Sequence, residues 1–509
     1  MNDFSPKTAA IWFWSVVGFF AAVWVLLPTL LHTGYRINDV IELQCISREW
    51  VLSTRKHPML PAWILEVVNI LTNRHFAAPF IASQFCVVMT LWSVWQLGRK
   101  VLSEKFALIG SLAMLPYYYF TYHSLVYNQN IVLMAFWSLS VYFVFQAYQT
   151  NRFLYWILSG LSIGIAFHAK YPAAFLVLSI LIFMLTRSDG RKLWYGIRPY
   201  LTTIIAFLIF LPHIVWLYQN DFATFDYALN RHAYSNRIYH LLLPLTFIMF
   251  QLEFWFTTVI VLYPVIGFIW KWKIKFLENS PENENQKLCE KYLFYCFIIP
   301  FLFCIIIMFT KNYWFPASYS APFWTFSGTW LLLRFQTKES PNTFFNTIKL
   351  IIILETVMSL LLIVSVFSPY INGKPKKQLF PAQELGIRCD TIWYSKFNTP
   401  CPFVSGDWAI CGYAGWAMRD RPRVLFYWNI HGIDDLRAKP TGTWATDSDV
   451  NQTGGIILWQ LSDKPDHYVP EWLHQRFPNA EIIPDTIILP YTTGAKVPPL
   501  KVGVALIPP

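Results

Sequence analysis

Charged residues are scarce in this sequence. Asp, Glu, Lys and Arg make up 14% of its 509 residues, whereas a soluble globular chain carries about 25%. Hydrophobic residues take their place and account for 55% of the chain. This composition excludes an ordinary soluble domain and indicates a protein that lies within a membrane.

Cysteine motifs are also absent. The eight cysteines are scattered, and the sequence contains no CxxC pair and no Cys/His spacing typical of a zinc site. Three cysteines lie in the C-terminal region and cannot all pair. At most one local disulfide is therefore expected among Cys389, Cys401 and Cys411.

Long apolar runs are what the sequence has instead. The run Ala9–Leu31 is long enough to cross roughly 30 Å of hydrocarbon as a helix. Comparable runs recur as far as residue 368 and predict an α-helical polytopic membrane protein with about 11 spans or more. The predicted spans are 10–31, 79–98, 106–122, 130–149, 153–169, 172–186, 200–217, 241–270, 292–310, 318–335 and 349–368.

The basic residues predict how the chain is oriented. A net charge of +11 can mark a nucleic-acid-binding protein, but here the Lys and Arg residues cluster in alternate loops, as the positive-inside rule requires. The basic loops include those with Arg99 and Lys100, with Arg152, and with Arg187 and Arg191. We therefore expect no nucleic-acid partner, a cytoplasmic N-terminus and a C-terminus on the outer side of the membrane.

The region from Pro369 onward differs in composition. It is rich in Pro, Gly, Asp and Trp, and no run in it has the length of a membrane span. Its patterns predict strand, helix and strand over Phe403–Trp428, then a strand over Gly454–Leu461, a short helix over Glu471–Ala480 and a strand over Lys501–Pro509.

This alternation of strands and helices indicates a small α/β domain. The sequence is therefore divided into a membrane domain, 1–368, and an extracytoplasmic C-terminal domain, 369–509. Within the membrane domain, the loop 32–78 is the first segment expected on the outer side.

Two carboxylates follow the first span. Asp39 and Glu42 are three residues apart, so they share a face if the segment is helical. A carboxylate just outside a membrane helix can take a proton from a hydroxyl group, or bind a divalent cation beside a phosphate. The alternative is that both are ordinary solvated charges.

The stretch RKHPMLPAW places Arg55, Lys56 and His57 before two prolines. Lys56 and His57 suit an anion such as a lipid phosphate, although basic residues also anchor proteins at the membrane interface. Arg55 is expected to be a solvated charge.

A second basic site is expected near the outer end of a span, where FHAKYPAAF contains His168 and Lys170. Ionisable residues at this depth are functional candidates, and Pro172 indicates an interrupted helix that lines a cavity. The alternative is that Lys170 extends its ammonium to the interface. Further candidates on the same side, for contact with phosphate, sugar or acceptor, are Asn128, Asn130, His213, Asp221, Arg231 and Lys311. Asn128 and Asn130 are equally well explained as helix caps.

The order of these blocks over residues 10–335 resembles bacterial glycosyltransferases of the protein-mannosyltransferase and aminoarabinose-transferase superfamily, which have the GT-C fold. KHPMLPAW and YNQNIVL are the most specific blocks, and they are similar to KHPPLPAW and FNHNTVL of one branch. The resemblance implies transfer of a sugar from a polyprenyl phosphate to a lipid, glycan or protein acceptor. It implies an inner-membrane enzyme whose C-terminal domain is periplasmic.

The resemblance also assigns roles. Asp39 matches the family's acidic residue in the first outer loop, which is a base or a group that orients the acceptor, and Lys170 matches a phosphate contact. Two positions depart from the pattern. Lys56 stands where aminoarabinose transferases have a glutamate of the metal site, so metal dependence stays open, and Asn128 or Asn130 stands where many relatives have an aspartate.

A mechanism follows as a hypothesis. Charge on the leaving phosphate is stabilised by Lys56, His57, Lys170 and Arg231, while Asp39, with Glu42 as the second candidate, accepts the proton of the incoming hydroxyl. Lipid A, another envelope glycan or a protein is the acceptor. The rival hypothesis is a transporter or flippase of a polar lipid headgroup, but such proteins often show repeated halves, and no repeat is evident here.

Overall fold

The structure is a computed structural model that describes residues 4–35, 38–231, 239–267, 283–311, 313–335, 342–427, 444–461, 468–491 and 497–509. Among these residues, seven helices are long and apolar enough to cross a membrane. They are α1 (Pro6–Leu31), α4 (Ala78–Gly98), α6 (Gln129–Thr150), α10 (Arg198–Gln219), α12 (Tyr239–Ile266), α13 (Glu284–Lys311) and α15 (Thr343–Asn372). The protein is therefore a multi-pass membrane protein.

Shorter helices lie between the long ones. They are α2 (Asn38–Ser47), α3 (Leu60–Leu71), α5 (Glu104–Leu112), α7 (Phe153–Ala169), α8 (Ala173–Thr186), α9 (Ser188–Leu193), α11 (Ala223–Arg231) and α14 (Ser327–Phe335). Two 3-10 helices, Tyr122–Leu125 and Ala317–Trp324, complete this part of the described chain.

Two predicted spans are wrong as continuous helices. In the segment 106–122, α5 ends at Leu112 and a series of turns follows. In the segment 318–335, the 3-10 helix Ala317–Trp324 precedes α14. Both segments are apolar enough for a span, but Pro116 and Pro322 cannot donate a backbone hydrogen bond and interrupt the α-helical ladder. The last residues of the predicted span 241–270 lie outside the described chain.

Helices α7 and α10 pack at unusually close range. A Cβ on Gly160 would lie 2.8 Å from the Cβ of Ile205, and one on Gly164 would lie 2.8 Å from the Cβ of Ile209. Only glycine at this spacing lets the backbones approach so closely, as in other small-residue helix contacts within membranes. The contact brings together the C-terminal halves of both helices, which carry the candidate residues His168 and His213.

The C-terminal part is built around one five-stranded sheet. Its strands are β1 (Phe403–Asp407), β2 (Arg423–Tyr427), β3 (Gly455–Gln460), β4 (Glu481–Leu489) and β5 (Leu500–Ile507), in the order β2-β1-β3-β5-β4. β1 pairs in parallel with β2 and β3, whereas β5 is antiparallel to β3 and β4. The accompanying helices are α16 (Ala382–Lys396), α17 (Trp408–Ala417), α18 (Asp447–Thr453) and α19 (Trp472–Arg476).

These elements confirm the predicted small α/β domain after the membrane helices. The strand, helix and strand expected over Phe403–Trp428 are β1, α17 and β2. The strand β4 and the helices α16 and α18 were not predicted, because their sequences are less apolar than the neighbouring buried strands. The eight cysteines are buried and free, so no disulfide joins Cys389, Cys401 or Cys411.

The sheet domain packs directly against the segment after α1. One hydrophobic cluster contains Trp24, Tyr35 and Ile41 from that side together with Leu385 and Tyr413 from the C-terminal part. The hydroxyl of Tyr413 accepts a hydrogen bond from the Tyr35 amide at 2.7 Å and donates one to the Tyr35 carbonyl at 3.1 Å. The first predicted outer loop and the C-terminal domain therefore share one core.

Candidate active site

The RKHP stretch forms a tight turn between α2 and α3. Ser53 and Pro58 form an isolated antiparallel bridge. The carbonyl of His57 accepts hydrogen bonds from the amide of Thr54 and the hydroxyl of Ser53, each at 3.1 Å. The turn is thus closed by backbone contacts, which leave the side chains of residues 55–57 to contact other elements.

Lys56 and Glu42 form a buried ion pair. The Lys56 ammonium lies 3.0 Å from Oε1 and 2.9 Å from Oε2 of Glu42, and each residue is 8% exposed. The same ammonium lies 4.8 Å from the ring centroid of Trp408 at the start of α17. A predicted phosphate ligand and the second candidate base are therefore partners, and the C-terminal domain contributes an aromatic ring beside them.

Asp39 has a different environment from Glu42. The segment is helical, as expected, and Asp39 lies in the first turn of α2. It is exposed, however, whereas Glu42 is buried against Lys56. The two carboxylates therefore differ in burial, because the ion pair with Lys56 involves only Glu42, and their catalytic roles stay predictions.

Lys170 is held by two neutral groups. Its ammonium donates a hydrogen bond of 2.7 Å to Oδ1 of Asn130 and lies 3.4 Å from the ring centroid of Tyr319. Lys170 and Asn130 are both buried. The amide of Asn130 and the ring of Tyr319 both orient the ammonium, the first by a hydrogen bond and the second by a cation–π contact.

The neighbouring asparagine has a structural role. Oδ1 of Asn128 accepts hydrogen bonds from the amides of Asn130 at 2.9 Å and Ile131 at 3.3 Å. This is an N-cap, which satisfies amides that have no partner within the helix. Asn128 is therefore the residue that caps the helix, as one of the two sequence-based alternatives predicted. The side chain of Asn130 instead contacts Lys170.

Three contacts join the sequence blocks KHPMLPAW, YNQNIVL and HAKYP. The hydroxyl of Tyr127, in YNQNIVL, donates to the carbonyl of Pro61, in KHPMLPAW, at 2.8 Å. The ring of Trp63 lies 5.9 Å from the ring of His168. With the Lys170–Asn130 hydrogen bond, these contacts bring three blocks that are distant in sequence into one region.

A pair of histidines lies beside this region. Nε2 of His168 on α7 donates a hydrogen bond to the carbonyl of Ile209 at 2.9 Å. His213 on α10 is completely buried, bonds the hydroxyl of Tyr171 at 2.8 Å and lies 5.9 Å from His168, ring to ring. The predicted sugar or acceptor ligand His213 therefore has Tyr171 as its partner in the structure.

Helix α11 covers the RKHP turn. Its Asp226 pairs with Arg55 at 3.1 Å, its Thr224 donates to the carbonyl of Thr54 at 3.2 Å, and its Tyr227 meets the edge of His57. Arg55 is thus an ion-paired residue, and the expectation of a solvated charge is wrong.

Three further candidates lie at the ends of helices. Asp221 is exposed, with a φ of 50° in the turn before α11. Lys311 is exposed in the last turn of α13. The side chain of Arg231, at the end of α11, lies outside the described part of the structure. The roles proposed for these residues stay predictions.

Sequence patterns gave no indication of two ion pairs between the C-terminal domain and the segment 32–78. Arg421 contacts both carboxylate oxygens of Glu66 at 2.6 Å, and Arg423 contacts Glu49 at 2.9 Å. Burial alone would raise the pKa of Glu66, but the hydrogen bonds from Arg421 and Ser47 overcome this effect and hold that pKa below its usual range. Partners this far apart in sequence carry no local signal.

The described residues contain no group of three or more His, Cys, Asp or Glu side chains placed to hold a metal ion. Both oxygens of the buried Glu42 accept hydrogen bonds from the Lys56 ammonium.

Comparison with known proteins places these observations in context. Residues 56–216 match the family described as dolichyl-phosphate-mannose-protein mannosyltransferase. A lipopolysaccharide core galacturonosyltransferase, RgtA from Rhizobium johnstonii, is 27% identical over 193 residues, which cover 37% of this chain and 38% of that protein. The sequence similarity thus spans well under half of either protein.

Similarity to solved structures extends further. The crystal structure of ArnT from Cupriavidus metallidurans bound to undecaprenyl phosphate superposes with a TM-score of 0.62 and 11% identity, covering 99% of this chain and 98% of that one. The apo structure of the same protein gives a TM-score of 0.61 and 13% identity over the same shares. At such low identity, the likeness shows a common fold over nearly the whole length of both chains.

Proposed function

We propose that the chain is a GT-C glycosyltransferase that transfers a sugar from a polyprenyl-phosphate donor to an acceptor at the outer face of the bacterial inner membrane. The observation that carries the proposal is the convergence of three sequence blocks. KHPMLPAW, YNQNIVL and HAKYP meet through Tyr127 and Pro61, Trp63 and His168, and Lys170 and Asn130. All three blocks lie within the segment that matches the mannosyltransferase family.

The donor class is supported by the electrostatics of this region. Lys170 offers an ammonium that Asn130 and Tyr319 hold in place, and such a cation can stabilise charge that develops on a leaving phosphate. The related fold of ArnT was crystallised with undecaprenyl phosphate. We assign His57 and Arg231 to the same phosphate, because they lie on the turn and on the helix that covers it.

Lys56 has a more specific part in this scheme. Its ammonium is paired with Glu42 in the structure, so contact with a phosphate requires it to share its hydrogen bonds with the donor. A lysine has three N–H donors and can bridge two anions. Glu42 then serves to orient Lys56, and the role of base falls to Asp39.

Asp39 is the proposed general base. It is exposed at the first turn of α2, where an acceptor hydroxyl from outside the membrane can reach it. In the reaction, the acceptor oxygen bonds to the anomeric carbon, the bond from that carbon to the phosphate oxygen breaks, and Asp39 takes the hydroxyl proton. Asn130, His213, Asp221 and Lys311 are the remaining proposed contacts for sugar or acceptor.

The acceptor and the sugar are also part of the proposal. A lipid or glycan of the cell envelope, such as lipid A or the lipopolysaccharide core named for RgtA, is tested first, and a protein acceptor second. The sugar is a hexose or a pentose. The basic loops support a cytoplasmic N-terminus, with the membrane domain at 1–368 and a periplasmic domain at 369–509.

Transfer from labelled polyprenyl-phosphate sugars in membranes tests the function. We expect labelled product with the wild-type protein, a loss of about 100-fold or more with Asp39→Asn, and wild-type rates with Asp485→Asn, which changes an exposed carboxylate on β4. Full activity of both Asp39→Asn and Asp39→Ala would remove Asp39 from the mechanism. Mass spectrometry of envelope lipids and glycans, with and without the protein, identifies the sugar and the acceptor.

The competing transporter hypothesis predicts a different result in the same membranes. Labelled lipid would move between leaflets without a new glycosidic product. The family match and the shared fold support the enzyme over this alternative.

A further inference from the structure

Arg421 of the C-terminal domain binds to the segment that carries the proposed site. Nη1 and Nη2 of Arg421 each lie 2.6 Å from one oxygen of Glu66 on α3. Glu66 is 5% exposed. Two parallel charge-assisted hydrogen bonds fix both the distance and the angle between the groups, so this pair ties α3 firmly to the loop before β2.

The same guanidinium also reaches α2. Nη2 of Arg421 donates to the hydroxyl of Ser47 at 3.0 Å and to the carbonyl of Gln44 at 3.3 Å. The Ser47 hydroxyl in turn donates to Glu66 at 2.7 Å, and the Asn69 amide donates to Gln44 at 2.7 Å. A single side chain therefore joins both helices through a buried network in which most members have two partners.

These two helices determine where Lys56 lies. Glu42 belongs to α2, and Lys56 belongs to the turn that connects α2 to α3. Because both ends of the turn are attached to the helices that Arg421 joins, any change in their separation moves the ammonium relative to Glu42. Trp408, also from the C-terminal domain, covers the same ammonium at 4.8 Å.

The backbone of Arg421 indicates that its position is imposed by these contacts. Its φ is 49°, in the left-handed region that bulky residues rarely adopt. A strained residue persists only where surrounding contacts hold it, and such residues cluster at functional sites. Here the contacts are those of the guanidinium with Glu66, Ser47 and Gln44.

We propose that Arg421 is a positioning residue for the outer-face site, which holds α2 and α3 so that the C-terminal domain sets the geometry of the Glu42–Lys56 pair. The proposal rests on the proposed function for its effect on transfer, but not for its effect on structure. Arg421 touches none of the proposed reacting groups. The C-terminal domain then acts as part of the site rather than as a separate accessory unit.

The test uses the full-length protein in lipid nanodiscs and two measurements. Hydrogen–deuterium exchange of residues 38–71 reports whether the helices are held, and transfer kinetics report the consequence for the site. The variants are Arg421→Gly, which removes the guanidinium and relieves the left-handed backbone, and Arg421→Lys, which keeps the charge but not the bidentate geometry. Arg419→Ala is the matched control, because that side chain is 62% exposed and lies two residues away.

We expect amide exchange in α2 and α3 to rise about tenfold or more in Arg421→Gly, with exchange in α6 unchanged. We expect kcat to fall about 10- to 100-fold, with a smaller change in the KM for the donor. Arg421→Lys is expected to lie between wild type and Arg421→Gly, and Arg419→Ala to match wild type.

Three other results would contradict either the positioning role of Arg421 or the proposed function. Unchanged exchange in α2 and α3 in both Arg421 variants would overturn the positioning role even if transfer is real. Faster exchange together with wild-type kcat would show that Arg421 holds α2 and α3 without affecting transfer, and would overturn its proposed role in positioning the site. Wild-type protein without transfer to any acceptor would count against the proposed function, while the exchange data would still decide whether Arg421 holds the helices. If Arg421→Gly does not fold, the comparison between Arg421→Lys and Arg419→Ala decides the question.

Discussion

The ammonium of Lys56 lies within 3.0 Å of both carboxylate oxygens of Glu42, and both residues are more than nine-tenths buried. Two residues that sequence patterns placed in separate roles are thus one structural unit. A buried charge without its partner is costly, because desolvation is no longer offset by attraction. The pair must therefore be tested as a pair.

We predict strong coupling between substitutions of Lys56 and Glu42. Lys56→Met alone or Glu42→Leu alone is expected to destabilise the protein by about 3–5 kcal/mol, since each removes the ion-pair contact of a buried charge. The double variant is expected to cost clearly less than the sum of the two single changes. Unfolding in detergent micelles, followed by circular dichroism, measures this difference.

Activity should behave differently from stability in this series. The double variant is expected to regain stability without regaining transfer, because Lys56 is proposed to contact the donor phosphate. Additive destabilisation would show that the two side chains do not interact strongly in solution. Wild-type transfer by the double variant would remove Lys56 from donor binding.

The sequence was sufficient to predict the class of fold, whereas the assignment of residues to the site stays a prediction. Long apolar runs predicted the membrane helices, and short apolar runs with few charges predicted most strands of the sheet. The blocks around Lys56, Asn130 and Lys170 were all identified, because polar residues next to membrane spans stand out against an apolar background. Their mutual contacts were not predicted, since contacts between distant segments depend on tertiary packing.

The Arg421–Glu66 pair shows most clearly what sequence patterns could not reveal. The two residues are 355 positions apart, and each is an ordinary charge in its own local sequence. Only the fold brings α3 beneath the loop before β2. The two interrupted spans have a similar cause, because hydropathy measures the composition of a segment and not the continuity of its hydrogen bonds.

A substitution at Tyr319 tests how Lys170 is held. Tyr319→Phe keeps the aromatic ring that lies 3.4 Å from the ammonium, so we expect donor affinity close to that of wild type. Tyr319→Leu removes the ring and should weaken donor binding by about 0.5–2 kcal/mol. Binding of a fluorescent polyprenyl phosphate measures both. Equal affinity of the two variants would show that the ring does not contribute to the phosphate site.

Asn128 allows a structural role to be separated from a catalytic one. Its side chain caps α6, so Asn128→Ala should lower stability by about 1 kcal/mol, while Asn128→Ser retains a capping oxygen and should be nearly neutral. Turnover per folded molecule is expected to be unchanged in both. A loss of turnover in Asn128→Ser, measured on protein with wild-type thermal stability, would indicate instead that the amide contacts substrate.

Acid should weaken the Arg421–Glu66 contact, which joins the C-terminal domain to helices α2 and α3. The pKa of Glu66 is held below its usual range in the folded protein, chiefly because hydrogen bonds from Arg421 and Ser47 outweigh burial. As the pH falls below about 4.3, the ordinary value for glutamate, the unfolded chain takes up a proton before the folded protein does. The stabilisation is therefore complete above that value and is lost as the pH falls through the lower pKa of the folded state.

Glu66→Gln lacks this titration and provides the comparison. We expect wild type to have the higher unfolding temperature at pH 7, and the difference between the two proteins to shrink steadily below about pH 4.3. Glu384→Gln, which changes an exposed carboxylate in the i,i+4 pair with Arg388, should differ little from wild type at any pH, because exposed pairs contribute little. A wild-type advantage over Glu66→Gln that persists undiminished to pH 3 would contradict a lowered pKa of Glu66 in the folded protein, and would mean that the contact with Arg421 does not depend on the charge of this carboxylate.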